Sequence, residues 1–170
     1  MKKISFRHDV LPLKDVLYRL ALRITLNHEE AQDVVQDTLI KVWNRRDEWS
    51  GIESIEAYSL TICRNLSLDR MKNKAMHSES LDSIPLETPD QGSSPYEQML
   101  QKDRLDLVRR MVNTLPEKQR SCMQLRDFEG RSYKEIAQIL NISEDQVKVN
   151  IFRARQAIKK KYQETEGYGL

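Results

Sequence analysis

The chain has no glycine-rich phosphate loop, no G-x-S-x-G and no H-E-x-x-H. Those absences remove the usual signatures of nucleotide hydrolysis, serine-hydrolase chemistry and zinc proteolysis. Glycine and proline are scarce, five of each in 170 residues, and β-branched alternation is rare, so no strand is expected. No apolar run approaches the roughly 20 residues needed to cross a bilayer. The N-terminus, Met1-Lys2-Lys3-Ile4-Ser5-Phe6-Arg7-His8-Asp9, lacks the apolar stretch of a signal peptide. A cytoplasmic protein without direct membrane insertion is therefore expected. Cys63 and Cys122 show neither C-x-x-C nor Cys/His ligand spacing. Each is expected to pack as a small hydrophobe in a reducing compartment. His8, His28 and His77 fall in different elements and read as surface residues. Asp33 and Asp37 share one helix face, but an acidic solvated or docking face suits them better than an acid–base pair. No catalytic residue, metal, cofactor or small-molecule substrate is expected, and the chain does not read as an enzyme.

What the chain does have is base, concentrated near its end. From Arg131 to Lys161 eight Lys or Arg stand against three Asp or Glu, a local charge of +5 in a chain of +2 overall. This is the electrostatic footprint that phosphate requires. The same stretch reads as two helices joined by a tight turn. Ser132 and Glu135 form a first capping box, with Ile136, Ala137 and Leu140 as the buried stripe. Asn141 and Ile142 make the turn. Ser143 and Gln146 form a second capping box, followed by Val147, Ile151, Ala154 and Ile158 on one face. A helix-turn-helix with its second helix in the major groove is the reading.

Apolar content of 39% and charged content of 32% suit a soluble helical protein. The fold class expected is all-α, two small helical domains joined by a flexible linker. In residues 1–74, helices are expected over Pro12 to Leu26, from the N-x-x-E at Asn27 onwards, and over Ile55 to Lys74, with a loop from Arg46 to Ser54. The second helix carries Ala31, Val34, Val35, Thr38 and Val42 as its core stripe. Leu39, Ile40 and Trp43 widen its apolar surface beyond what its own bundle needs. Residues 75–95 hold three Pro, five Ser and one Gly beside acidic residues, a flexible acidic linker and domain boundary. Residues 96–163 hold a helix from Tyr96 to Asn113, another from Leu115-Pro116-Glu117 to Phe128, and the helix-turn-helix. Residues 164–170 read as a frayed tail.

Two separated segments carry a resemblance. One is Glu30-Ala31-Gln32-Asp33-Val34-Val35-Gln36-Asp37-Thr38-Leu39-Ile40-Lys41-Val42-Trp43 with the run from Ile55 to Asp69. The other is Leu115-Pro116-Glu117-Lys118-Gln119-Arg120, Glu129-Gly130-Arg131-Ser132-Tyr133-Lys134-Glu135-Ile136-Ala137 and the run from Val147 to Arg155. In that order, either side of a polar linker, they resemble bacterial RNA polymerase sigma factors of the extracytoplasmic function (ECF) type, in the sigma-70 family. The resemblance implies a non-enzymatic subunit with two domains, region two and region four. It implies binding to core RNA polymerase, recognition of the −10 and −35 promoter elements, help in opening DNA, and an anti-sigma factor as partner, often membrane-bound.

Residue by residue, the resemblance implies polymerase docking by Asp33, Gln36, Asp37, Lys41 and Trp43. It implies −10 contacts from Trp49, Arg64, Asn65, Arg70 and Lys72. Trp49 is either the aromatic at a flipped base or a core anchor, and Asn65 either reads a base edge or faces solvent. The implied −35 contacts are Arg131, Lys134, Ser143, Lys148, Asn150, Arg153 and Arg155. Asn150 stands where relatives often carry a basic residue. Glu144 and Asp145 would repel phosphate unless they accept from a cytosine amino group. A stand-alone helix-turn-helix regulator and an adaptor with an incidental basic helix are the competing readings.

Overall fold

The computed structural model describes residues 3–77 and 96–168, and every regular element among them is helical. The expected linker falls, from residue 78 to 95, outside the described residues. A short π turn, Phe6–Val10, and a 3-10 turn, Leu11–Leu13, lead into α1, Lys14–Thr25. The α-helix thus begins two residues after Pro12. That residue sits in the 3-10 turn, where its missing N–H leaves no helical bond unmade.

Leu26 closes α1 in the left-handed region at φ 57°, its N–H bonded to the Leu22 carbonyl at 2.8 Å. Asn27 follows at once as the cap of α2, His28–Asn44, its side chain accepting from the Glu30 N–H at 3.0 Å. Two residues therefore reverse the chain. The expected loop after α2 holds a 3-10 turn, Arg46–Gly51, and α3 runs Ile55–His77, three residues beyond the expected end. The whole expected stripe of α2 is buried. Thr38, Ser59 and Ser67 are tolerated in this core because each hydroxyl donates to the carbonyl four residues back.

The second half comprises α4, Tyr96–Asn113, α5, Glu117–Met123, α6, Tyr133–Leu140, and α7, Glu144–Tyr168. The single helix expected up to Phe128 is interrupted. After Met123 it widens into a π turn, Gln124–Phe128, closed by the Glu129 N–H on the Gln124 carbonyl at 3.0 Å. Gly130, at φ 70°, then turns the chain towards α6, a conformation in which a Cβ is strained. In α6 the buried residues are Ile136, Ile139 and Leu140, while Ala137 is only half-buried. Ile139 thus completes the buried edge, with Ala137 packed at the margin of the same cluster. In α7, Val147, Ile151 and Ala154 are buried as their spacing predicts. The helix continues to Tyr168, through residues expected to fray.

The halves pack against each other, α3 on α6 and α1 on α5. One apolar cluster runs through both, from Leu17, Leu20 and Leu60 to Leu125, Ile136 and Ile139. Each such side chain contributes about 1.5–3 kcal/mol when fully buried. Two smaller clusters flank it. One surrounds Trp49 with Val10, Val42 and Ile62, and the other joins Val112, Leu115, Met123 and Ala154.

Candidate nucleic-acid interface and docking face

The recognition helix is anchored at its start by a complete capping box. The Gln146 N–H donates to Ser143 Oγ at 3.1 Å, and the Ser143 N–H donates to Gln146 Oε1 at 3.0 Å. The box at Ser132 is only half made. Its Oγ accepts from the Glu135 N–H at 3.1 Å but donates to the Glu135 carboxylate at 3.2 Å. Asn141 makes the turn at φ 54°, in the left-handed conformation that asparagine tolerates best after glycine. Glu144 and Asp145 lie in the first turn of α7, where carboxylates offset the positive end of the helix dipole.

With Val147, Ile151 and Ala154 turned inward, α7 exposes Lys148, Val149, Phe152, Arg153, Arg155 and Lys159. Lys148 lies 5.6 Å from the Tyr133 ring centroid, which Arg126 also faces at 4.4 Å. Tyr133 thus tethers the lysine between α6 and α7. Asn150 is turned along its own helix, donating to the Gln146 carbonyl at 2.8 Å. Arg155 is held by Asp127 through two bonds, Nε to Oδ2 at 3.1 Å and Nη2 to Oδ1 at 2.5 Å. That hydrogen bond raises its already high pKa. Arg153 and Lys134 are exposed. Arg131 is ion-paired with Glu56 of the other half. Phe152, 63% exposed, and Val149, 44% exposed, were not singled out from the sequence. The signal was their place outside the Val147–Ile151–Ala154 register.

In the first half the expected −10 residues do not gather at one surface. Trp49 is the core anchor, 8% exposed. Its indole N–H donates to the Val42 carbonyl at 3.1 Å and its ring meets Trp43 edge-on at 6.3 Å. In this arrangement it offers no free face to a base. Arg64 is buried and reaches Leu140 and Glu117 of the other half. Asn65 and Lys72 are exposed. Arg70 grips the carboxylates of Glu30, Asp33 and Asp37 at 3.0, 3.4 and 2.8 Å, and the hydrogen bonds to Glu30, foremost, and to Asp37 raise its pKa. It therefore organises the acidic face of α2.

On that face Asp33, Gln36, Asp37 and Lys41 are exposed. Beside them lies an apolar groove of about 390 Å³ lined by Phe6, Leu39, Ile40 and Trp43. Ile40 and Trp43 stay 58% and 45% exposed, and Phe6 meets Trp43 edge-on at 5.3 Å. Phe6 was not singled out from the sequence, because its partner lies 37 residues away. Arg46 covers another side of Trp43, at 4.6 Å from the ring centroid.

The thiols are inert packing groups, and burial lifts both Cys63 and Cys122 to about 12. His28 meets the Tyr18 hydroxyl at 2.5 Å, so it is fastened to α1 and is not a freely solvated residue. Among the described residues no three His, Cys, Asp or Glu side chains stand together as a metal site, and no helix is long and apolar enough to cross a membrane.

Comparison with known proteins accounts for this layout. Residues 10–76 match sigma-70 region 2, and residues 105–158 match sigma-70 region 4. The ECF RNA polymerase sigma-E factors of Salmonella typhimurium and of Escherichia coli are 31% identical over 142 residues, covering 79% of this chain and 74% of theirs. The sigma factor RpoE of Bartonella quintana, solved in complex with the anti-sigma factor NepR, superposes with a TM-score of 0.73 at 25% identity, covering 91% of this chain and 94% of that one. CnrH, solved with the cytosolic domain of CnrY, shares the fold with a TM-score of 0.66 at 21% identity, covering 94% and 88%. The stand-alone regulator is thereby set aside. The chain belongs to the ECF sigma factors of the sigma-70 family, non-enzymatic initiation factors that direct RNA polymerase to promoters.

Proposed function

We propose that the two halves, 1–74 and 96–163, divide the work of initiation as follows. The outer face of α2 docks core polymerase through Asp33, Gln36, Asp37, Lys41 and Trp43, with Ile40 and Leu39 as the apolar centre. The exposed face of α7 enters the major groove of the −35 element. Lys148 and Arg153 contact DNA, Lys134 and Arg131 hold phosphate, and Arg155 reaches phosphate only when free of Asp127. Asn65 and Lys72 meet the melted −10 strand. Trp49 supports that loop from within, and Arg70 holds the docking acids. Ser143 and Asn150 act on DNA only through helix geometry, since their side chains bond within α7. The protein works in the cytoplasm, and an anti-sigma factor holds it inactive.

The observation that carries this reading is the split character of α7. Its inner face is fully committed to packing, while its outer face presents cations and two apolar side chains to solvent. A hairpin that merely tolerates solvent has no need of exposed Val149 and Phe152, whereas thymine methyl groups in a major groove suit them. The test is transcription in vitro with bacterial core polymerase and a pool of genomic fragments. Discrete starts sharing a two-part upstream element are expected, and Lys148→Ala with Arg153→Ala should abolish them. Unchanged transcript levels in that double variant would remove the DNA role given to α7.

A further inference from the structure

The start of the recognition helix offers its first lysine two carboxylates. Lys148 follows Glu144 by four residues and Asp145 by three, all on α7. An acid N-terminal to a lysine at i, i+4 is the favoured orientation for a helical ion pair. Lys148 takes neither partner, and among the described residues no carboxylate lies within ion-pair distance of it. Its Nζ lies instead 5.6 Å from the ring centroid of Tyr133 on α6.

That ring is fixed independently of the lysine. Tyr133 is the first residue of α6, directly after the Ser132 cap, and it packs against the central apolar cluster. Arg126 faces the ring at 4.4 Å and is held in turn by donating to the Arg131 carbonyl at 2.9 Å. The backbone beneath Lys148 is fixed as well, by the buried Val147 and the complete capping box at Ser143.

We propose that Tyr133 is a positioning residue for promoter readout, its ring holding the Lys148 ammonium away from Glu144 and presenting it to a guanine edge of the −35 element. The inference rests on the DNA-facing reading of Lys148 and deepens it. A lysine has a flexible four-carbon stem, and fixing such a side chain at an interface costs conformational entropy. The ring meets part of that cost in the free protein. It also removes a competitor, since an ion pair with Glu144 would have to break before the lysine met a base. The ring attracts the ammonium without carrying a full charge and leaves its N–H donors unspent. At 5.6 Å the attraction is near its outer limit. The O6 and N7 acceptors of guanine therefore draw the ammonium off the ring easily.

The test reads base discrimination by the holoenzyme. Core polymerase is combined with wild type, Tyr133→Phe, Tyr133→Leu, Tyr133→Leu/Glu144→Gln, Lys148→Ala or Lys148→Ala/Tyr133→Leu. Initiation is measured at a promoter found by transcription from the genomic fragments, and at derivatives in which each base pair of its −35 element is exchanged in turn. Lys148→Ala should erase discrimination at a single G·C position. Tyr133→Leu should lower discrimination at that same position by about two- to fivefold, the worth of an exposed cation–π contact, and should add nothing to Lys148→Ala. Tyr133→Phe keeps the ring face without the hydroxyl and should match wild type. Glu144→Gln should restore part of what Tyr133→Leu loses, because the competing carboxylate is gone. Where Tyr133→Leu does not fold, Tyr133→Met, similar in bulk, takes its place.

A loss spread evenly over all −35 positions overturns the proposal and makes Tyr133 a packing residue only. A Phe variant as defective as the Leu variant overturns it too, and assigns the hydroxyl to phosphate. If Lys148→Ala erases discrimination and Tyr133→Leu does not lower it, the positioning role alone fails. If Lys148→Ala changes discrimination nowhere, the DNA reading of Lys148 fails and the proposal falls with it.

Discussion

Replacing Asp127 with Asn should turn Arg155 from an internal partner into a phosphate ligand. The two side chains meet as a fork at 3.1 and 2.5 Å. Both are open to water, 52% for Arg155 and 32% for Asp127, so screening leaves the pair worth only about 0.2–1 kcal/mol. Folding stability should therefore move by less than about 1 kcal/mol. DNA binding should change more. The variant loses a carboxylate beside the recognition helix and gains an uncommitted guanidinium on it. One added phosphate contact steepens the dependence of log K on log salt by about 0.9, which is roughly an eightfold gain in affinity near 0.1 M salt. Fluorescence anisotropy with a −35 duplex, titrated across a range of KCl concentrations, reads both quantities. The decisive control is Asp127→Asn combined with Arg155→Ala, in which the gain should vanish. Parallel salt lines for wild type and variant, or a gain that persists without Arg155, would refute the argument.

Other predictions follow from individual contacts. Ser143→Ala breaks the complete capping box of α7 and should cost about 1 kcal/mol, read as a fall in melting temperature of about 2–4 °C. Trp49→Phe keeps a ring but removes the indole donor to the Val42 carbonyl, which retains only the Arg45 N–H at 3.2 Å. It should destabilise by about 0.5–1.5 kcal/mol, and an unchanged melt with impaired promoter opening would instead assign Trp49 to a base. Ile40→Asp places charge in the exposed groove, so core-polymerase affinity should fall at least tenfold, with stability changed by less than about 0.5 kcal/mol; undiminished pull-down of core would remove the groove from the docking face. Both thiols titrate near 12 in the folded chain against 9.0 unfolded. The stability they reflect is present below pH 9.0 and is lost as pH rises towards 12, seen as falling denaturant midpoints over that window. Alkylation at neutral pH should proceed only when denaturant is added.

Features governed by near neighbours were legible in the sequence. The caps at Asn27, Ser132 and Ser143 each depend on a residue three positions away, and the stripes of α2 and α7 depend on periodicity alone. Errors arose where tertiary packing chose between local options. Ile139 completes the buried edge of α6, which packs on α3 of the other half, and the π turn after Met123 follows no local breaker. The site was less legible than the fold for the same reason. The partners of Arg64, Arg131 and Arg70 lie 53, 75 and 33–40 residues away. No spacing rule shows that an arginine suited to phosphate already holds a carboxylate. Trp49 admits two readings from the sequence, because an aromatic in a polar loop looks alike whether it points in or out. The exposure of Ile40 and Trp43 was foreshadowed, since their helix carried more apolar surface than three helices can cover.

The division of α7 into an inner and an outer face also bears on engineering. Val147, Ile151 and Ala154 bind the helix to its scaffold, whereas Lys148, Val149, Phe152 and Arg153 point away from it. Promoter preference should therefore be rewritable as a short alphabet of four outward letters on an unchanged body. Grafting a whole foreign region four would also import a new mate for Leu60 and Leu20, and would disturb the very half it was meant to leave alone.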